Sequence, residues 1–89
     1  MKKYDVLLSD QARKQLKKID KNQAKIITAW LRKNLQDCEN PRLYGKPLSH
    51  NRKGEWRYRI GSYRLIADIQ DEIVTIEIVN IGHRSRIYN

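Results

Sequence analysis

Trp56-Arg57-Tyr58-Arg59-Ile60-Gly61-Ser62-Tyr63-Arg64-Leu65-Ile66 reads as two strands joined by a two-residue turn. Gly61-Ser62 places glycine first, where a tight hairpin of this length asks for a positive φ. Side chains alternate across a strand. Trp56, Tyr58 and Ile60 therefore share one face, and Arg57 and Arg59 the other. The apolar face suits a core. The arginine face suits an anion carrying several charges, and a nucleic-acid backbone is the commonest such anion. Arg64 follows on the next strand. A second basic run, Ile81-Gly82-His83-Arg84-Ser85-Arg86-Ile87-Tyr88, lies toward the C-terminus.

Strands are expected at about Glu55–Ile60, Tyr63–Gln70 and Ile73–Ile81, with Asp71-Glu72 as the second turn. Tyr4–Leu8 reads as a short apolar strand. Ser9 offers a helix N-cap, with Asp10 in the first turn where the helix dipole favours a carboxylate. Ala12, Leu16 and Ile19 recur at helical spacing, while Arg13, Lys14, Lys17 and Lys18 cover the other side. Asp20 opens a second helix, with Gln23 three residues on as in a capping box. Ala24, Ile27, Leu31 and Leu35 form its apolar stripe, widened by Ile26 and Trp30. Asn40-Pro41 ends the helical region. Residues 42–54 hold a proline and two glycines without periodicity and read as a loop, pinned to the core by Leu43, Tyr44 and Leu48. The expected fold is α+β: an N-terminal strand, a two-helix hairpin, then a three-stranded antiparallel meander, with the helices packed on one face of the sheet.

Eighty-nine residues make a single domain, 1–89, with a modest core. Nineteen lysines and arginines against ten acids give a net charge of +9, which points to nucleic acid, an anionic membrane or an acidic protein partner. No stretch approaches transmembrane length, and the apolar run near the start is too short for a targeting signal. The one cysteine, Cys38, cannot form an internal disulfide, which fits a reducing cytoplasm. Its neighbours Asp37 and Glu39 disfavour a thiolate, so it reads as incidental. No cysteine–histidine cluster has metal-ligand spacing, the acids are scattered, and no glycine-rich nucleotide loop is present. Neither a metal nor another cofactor is expected.

Element order and short motifs together resemble the RelE/ParE superfamily of bacterial toxins from type II toxin–antitoxin pairs. The motifs are Leu43-Tyr44-Gly45-Lys46-Pro47-Leu48, Trp56-Arg57-Tyr58-Arg59, Tyr63-Arg64-Leu65-Ile66, and Gly82-His83-Arg84 followed by Tyr88. The tail looks more like the RelE branch than the ParE branch. RelE-like toxins cut messenger RNA in the ribosomal A site, whereas ParE-like toxins act on DNA gyrase and lack the nuclease residues. The resemblance implies catalytic roles for Arg64, Arg84 and Tyr88, with His83 as a further candidate. It implies RNA or phosphate binding by Arg57, Arg59, Arg86 and Lys46. It also implies a cognate acidic antitoxin as partner in a hetero-oligomer, the ribosome and messenger RNA as further partners, and no membrane. The chain departs from the best-known form in having arginine where the strand pair is often lysine, and in a shorter hairpin turn.

Metal-free RNA cleavage uses the ribose 2′-hydroxyl against the adjacent phosphorus. It needs a base, cations for the transition-state charge, and an acid for the leaving oxygen. Arginines supply the cations but hold their protons near neutrality. Proton transfer then falls to Tyr88 or His83, or the reaction rests on orientation and charge. His50, in the loop, is a weaker proton carrier by position. Each residue also has a plainer role. Arg57 and Arg59 could be a solvated strand face, Arg64 an ion-pair partner of Asp68 or Glu77, and Arg84 a terminal charge. Trp56, Tyr58 and Tyr63 read as packing rather than base-stacking platforms, and Trp30 as helix-to-sheet packing.

Overall fold

The computed structural model describes residues 2–48 and 54–83. Among these residues five strands form one sheet in the order β1-β5-β4-β3-β2. They are β1 (Asp5–Leu8), β2 (Lys46–Pro47), β3 (Glu55–Ile60), β4 (Tyr63–Gln70) and β5 (Thr75–His83). Two helices, α1 (Asp10–Lys18) and α2 (Lys21–Asn34), lie between β1 and β2 in the chain and pack on one face of the sheet. β1 pairs parallel with β5, the direction a helical crossover permits, and every other pair is antiparallel.

Both helices begin where their caps require. Ser9 Oγ accepts from the Ala12 N–H at 3.0 Å, and the Asp20 carboxylate accepts from the Asn22 and Gln23 N–H groups at 3.0 and 3.3 Å. Only Ile19 and Asp20 separate the helices, and the extended backbone at Ile19 turns the chain. Ala12, Ile27, Leu31 and Leu35 are buried against Tyr58, Ile60, Leu65, Ala67, Ile69, Ile76, Ile78 and Ile81 of the sheet. Ile26 does not widen that stripe as expected. It stands on the outer side of α2 and is 51 % exposed.

The hairpin forms as its sequence requires. Ile60 pairs with Tyr63 across the two-residue turn, and Gly61 alone takes a positive φ there, +59°. β5 starts at Thr75 rather than Ile73, because Asp71–Ile73 wind into a 3₁₀ turn closed by Val74 in the left-handed region at φ 51°. It also carries a bulge. Ile66 pairs with Asn80 but Ala67 with Ile78, leaving Val79 as the extra residue. The bulge explains the odd spacing of Ile76, Ile78 and Ile81, which all face the helices although they do not alternate.

The segment read as a loop contains β2, which pairs antiparallel with β3 through Lys46↔Arg57 and Pro47↔Trp56. A proline is tolerated there because β2 is the sheet edge. Gly45 at φ +75° brings the chain so close that a Cβ would strike the Arg57 carbonyl oxygen. Leu43 does not pin this segment, being 70 % exposed. Polar bonds and buried Pro41 do so instead. Tyr58 Oη donates to the Pro41 carbonyl at 2.6 Å, and Trp56 Nε1 to the Tyr44 carbonyl at 2.6 Å. Arg42 grips Asp71 with both terminal nitrogens at 3.0 and 2.9 Å, and Tyr4 Oη donates to the same carboxylate at 2.7 Å.

Candidate functional site

With the helices on one side, the other face of the sheet is left uncovered by any helix among the described residues. Register assigns its side chains. Tyr58 pairs with Leu65 on the helix side, so Arg59, Arg57 and Glu55 of β3 and Arg64, Ile66, Asp68 and Gln70 of β4 face away from the helices. Arg59 and Arg64 are direct cross-strand partners. Such partners on one face bring their Cβ atoms to roughly 4.5–5.5 Å. Gly82 stands opposite Arg64 on β5 and contributes no side chain to the row. One step along, Arg57 lies opposite Ile66 on one side and Lys46 on the other.

This end of the face therefore gathers four of the expected site residues, Lys46, Arg57, Arg59 and Arg64, over three neighbouring strands. Like charges placed directly opposite destabilise a sheet. A bound polyanion would offset the cost of setting Arg59 opposite Arg64. Arginine holds its proton throughout the physiological range and can clasp a phosphate with two parallel N–H groups. What the four residues can do chemically is bind phosphates and stabilise charge that develops on them. For the three arginines proton transfer is outside reach.

At the other end of the same face the sign reverses. Glu55, Asp68 and Glu77 occupy one row across β3, β4 and β5. The Gln70 side-chain amide donates to Asp68 at 3.0 Å and to Glu77 at 3.3 Å. Asp68 lies four residues along β4 from Arg64, a separation of about 13 Å at strand rise.

His83 is not brought together with the arginines. It is the register partner of Tyr63, whose ring it meets edge-on at 5.6 Å, on the helix side of the sheet. There it lines a groove of about 620 Å³ with Gln11, Gln15, Lys18 and Asn80. The Gln15 amide organises that groove, donating to Asn80 Oδ1 at 2.7 Å and accepting from the Ile81 N–H at 2.6 Å. Arg84, Arg86, Tyr88 and His50 lie outside the described residues.

The aromatic residues of the hairpin serve as packing. Tyr58 is fully buried, and burial pushes its hydroxyl well above the ordinary tyrosine range. Tyr4 is shifted upward by its hydrogen bond to Asp71, and the Arg42 guanidinium is likewise held more firmly protonated by that carboxylate. Burial raises the Cys38 thiol, against backbone hydrogen bonds that lower it, and disfavours the reactive thiolate. Among the described residues no three histidine, cysteine or acidic side chains are placed to hold a metal ion, and no helix is long and apolar enough to cross a membrane.

Sequence reasoning missed one feature beside the arginines. Trp30 and Tyr44 meet at 5.7 Å and join Gly45, Lys46, Arg57 and Arg59 around a second groove of about 350 Å³. Trp30 comes from α2 and Tyr44 from the segment before β2, so no local pattern signals their meeting. The Tyr4–Asp71–Arg42 network, spanning 67 positions, is equally invisible in one dimension.

Residues 6–88 match the family model of the ParE toxin of the type II toxin–antitoxin system parDE. Toxin RelG of Mycobacterium tuberculosis is 34 % identical over 86 residues, covering 96 % of this chain and 95 % of that toxin. A chain in the crystal structure of the toxin–antitoxin complex RelBE2 from the same organism superposes with a TM-score of 0.78 at 29 % identity, over 96 % of this chain and 95 % of that one. The archaeal RelE–RelB complex of Pyrococcus horikoshii gives a TM-score of 0.72 at 23 % identity, over 94 % and 98 %, a likeness of fold.

Proposed function

We propose that this chain, which belongs to the ParE toxin family of type II toxin–antitoxin systems, acts as a ribosome-dependent endoribonuclease that cuts messenger RNA in the A site. The observation that carries the proposal is the Arg59–Arg64 cross-strand pair, flanked by Arg57 and Lys46, on the uncovered face of the sheet. The scissile phosphate sits on this pair. As the 2′-hydroxyl attacks, the extra negative charge on the phosphoryl oxygens develops against guanidinium groups already in place, so little reorganisation is needed. One such group aimed at developing charge is worth roughly 3–4 kcal/mol.

Three arginines that hold their protons, with Lys46 beside them, make a half-complete nuclease. Arg84 and Tyr88 complete it in this proposal, Tyr88 taking part in proton transfer and Arg84 adding to the phosphate contacts. His83 has the weaker claim, since the sheet stands between it and the arginines. A site that depends so heavily on charge and orientation suits a substrate held by the ribosome, with Arg86 and the lysines of α1 contacting ribosomal RNA without reading sequence. The action is placed in the cytoplasm, and a partly disordered acidic antitoxin covers the basic face, steered by the charge of +9.

The matching family bears the ParE name, and the resemblance to the ParE branch implies a second reading, a non-nuclease inhibitor of DNA gyrase using the same basic face for a protein contact. Primer extension on a defined message in a purified translation system separates the two. Discrete cuts at A-site codons are expected, absent without ribosomes and absent with Arg64→Ala or Arg84→Ala. An intact message together with inhibited gyrase supercoiling would replace the first reading with the second.

A further inference from the structure

β2 stops short of the hairpin. It pairs with β3 at Arg57 and Trp56, so among the described residues no strand lies along the outer side of Tyr58–Ile60. The groove of about 350 Å³ occupies this place. Its walls are of two kinds. Trp30 and Tyr44 present aromatic rings, Tyr44 being 37 % exposed. Lys46, Arg57 and Arg59 present cations. The walls are also held in place. The Tyr44 carbonyl accepts from Trp56 Nε1, Gly45 is packed against the Arg57 carbonyl, and Trp30 leans on buried Tyr58 at 5.6 Å.

Rings beside cations recognise an unpaired nucleotide, whose base stacks on an aromatic surface while its phosphate meets the charge. The volume is at the lower end for small-molecule sites, about 300–1,000 Å³, and suits one nucleotide. Arg59 belongs both to this groove and to the Arg59–Arg64 pair. A strand whose phosphate rests on that pair therefore has its next nucleotide over the groove. Lys46 is the register partner of Arg57, so one phosphate can reach both.

We propose that this groove is a nucleotide subsite, holding the unpaired nucleotide next to the scissile phosphate with its base against Tyr44 and Trp30 and its outer phosphate on Lys46 and Arg57. The identity of the ligand rests on the nuclease reading. An acidic polypeptide laid along the free edge of β3 is the competing occupant. It would use the backbone of β3 and the cations, and would gain little from the rings.

The test uses the full chain and a 2′-O-methyl RNA tetranucleotide, which cannot be cut, carrying 4-thiouridine at its terminal position. Irradiation is expected to crosslink the base to Tyr44 or Trp30, located by peptide mass spectrometry. Tyr44→Leu, which keeps an apolar wall and removes the ring, is expected to weaken binding about 5- to 100-fold, the range for loss of one stacked base. Tyr44→Phe should restore it. Lys46→Gln should lower the salt dependence of binding by about one phosphate contact. The melting temperature of each variant, measured alongside, identifies any that fails to fold, and Tyr44→Phe then decides. Crosslinks confined to other segments, with binding insensitive to Tyr44→Leu, would overturn the proposal. So would a polyglutamate peptide whose binding depends on Tyr44 while that of the RNA does not, which would assign the groove to a polypeptide. Cleavage is read separately. Wild-type cutting that Tyr44→Leu leaves unchanged sinks the subsite and spares the nuclease. Tyr44-dependent crosslinking by a protein that never cuts sinks the nuclease and spares the subsite.

Discussion

The two ends of the uncovered face are made by the same three strands and differ in sign. Across β3, β4 and β5, one row reads Arg59, Arg64, Gly82 and the other Glu55, Asp68, Glu77. The helix-covered face of those strands has no such latitude, since Tyr58, Leu65, Ala67 and Ile78 must be apolar to build the core. The uncovered face is where the chain can write charge without altering the fold. At strand rise the two rows are about 13 Å apart, more than the Debye length of about 8 Å at physiological salt. The ends therefore do not cancel. A polyanion approaching the basic row meets an undiluted positive field, and the acidic row marks where it should not go.

The largest expected effect is an asymmetry between neighbours on one strand. Arg64→Ala should lower the single-turnover cleavage rate about 10²- to 10³-fold, the typical loss for one group aimed at transition-state charge. Asp68→Asn, on the same face of β4, should leave that rate within about twofold. Equal losses from both would show that the whole face, and not its basic end, binds substrate.

The pH dependence of stability gives the next largest effect and separates site from scaffold. Burial raises Tyr58 above the ordinary tyrosine value of about 10, and Tyr4 is raised by Asp71. The unfolded chain then loses these protons first as pH rises, while the folded chain retains them. Stability is thus full below about pH 10 and falls above it, by up to about 1.4 kcal/mol per pH unit for Tyr58 alone. Tyr58→Phe should flatten the alkaline slope in urea denaturation while leaving RNA binding near neutral pH unchanged, since the Tyr58 hydroxyl lies on the helix side of the sheet. An alkaline slope that Tyr58→Phe leaves unchanged would remove burial of this hydroxyl as its cause.

How much of this was legible in one dimension depends on the range of the interaction. The bounds of β3 and β4 follow from alternation and a glycine-first turn. The same turn sets the register that makes Arg59 and Arg64 partners. Ser9 and Asp20 announce their helices because capping is a contact between residues two or three apart. β2 escaped because two residues, one of them proline, carry no period. β5 starts and ends two residues later than its apolar run suggests, since neither the left-handed Val74 nor the bulge at Val79 has a residue-type signature. Of the site, the common face of Arg57, Arg59 and Arg64 was readable. The side of the sheet that His83 takes depends on the β5 bulge and has no local signature, and the Trp30–Tyr44 groove depends on tertiary packing alone.

Converting the acidic end tests whether its sign matters. Glu77→Lys turns the row from three acids to a mixed one. It should raise affinity for single-stranded RNA a few-fold at low salt and steepen the salt dependence by up to about one phosphate contact. Cleavage at A-site codons should not improve, since the added contact lies far from Arg59–Arg64. Unchanged affinity and slope would mean that RNA never nears this end, and that the acidic row has no part in guiding it.

The smallest effect bears most directly on why the two ends exist. Each row sets like charges side by side, and relieving one such pair is worth about 0.2–1 kcal/mol. Asp68→Asn removes the repulsion from Glu55 and Glu77 while its amide oxygen can still accept from Gln70, so little is lost against the gain. Arg59→Gln removes the repulsion from Arg64 in the same way. Both variants should therefore melt about 1–8 °C higher, given a shift of about 4–8 °C per kcal/mol for a domain of this size. Their activities should diverge, Asp68→Asn cutting normally and Arg59→Gln losing most of its rate. That pairing of equal stabilisation with unequal activity would show the basic row to be maintained against the stability of the sheet for the sake of its ligand. If Arg59→Gln instead destabilised the fold, the arginine pair would be a structural element, and the case for a site would pass to Arg57 and Lys46.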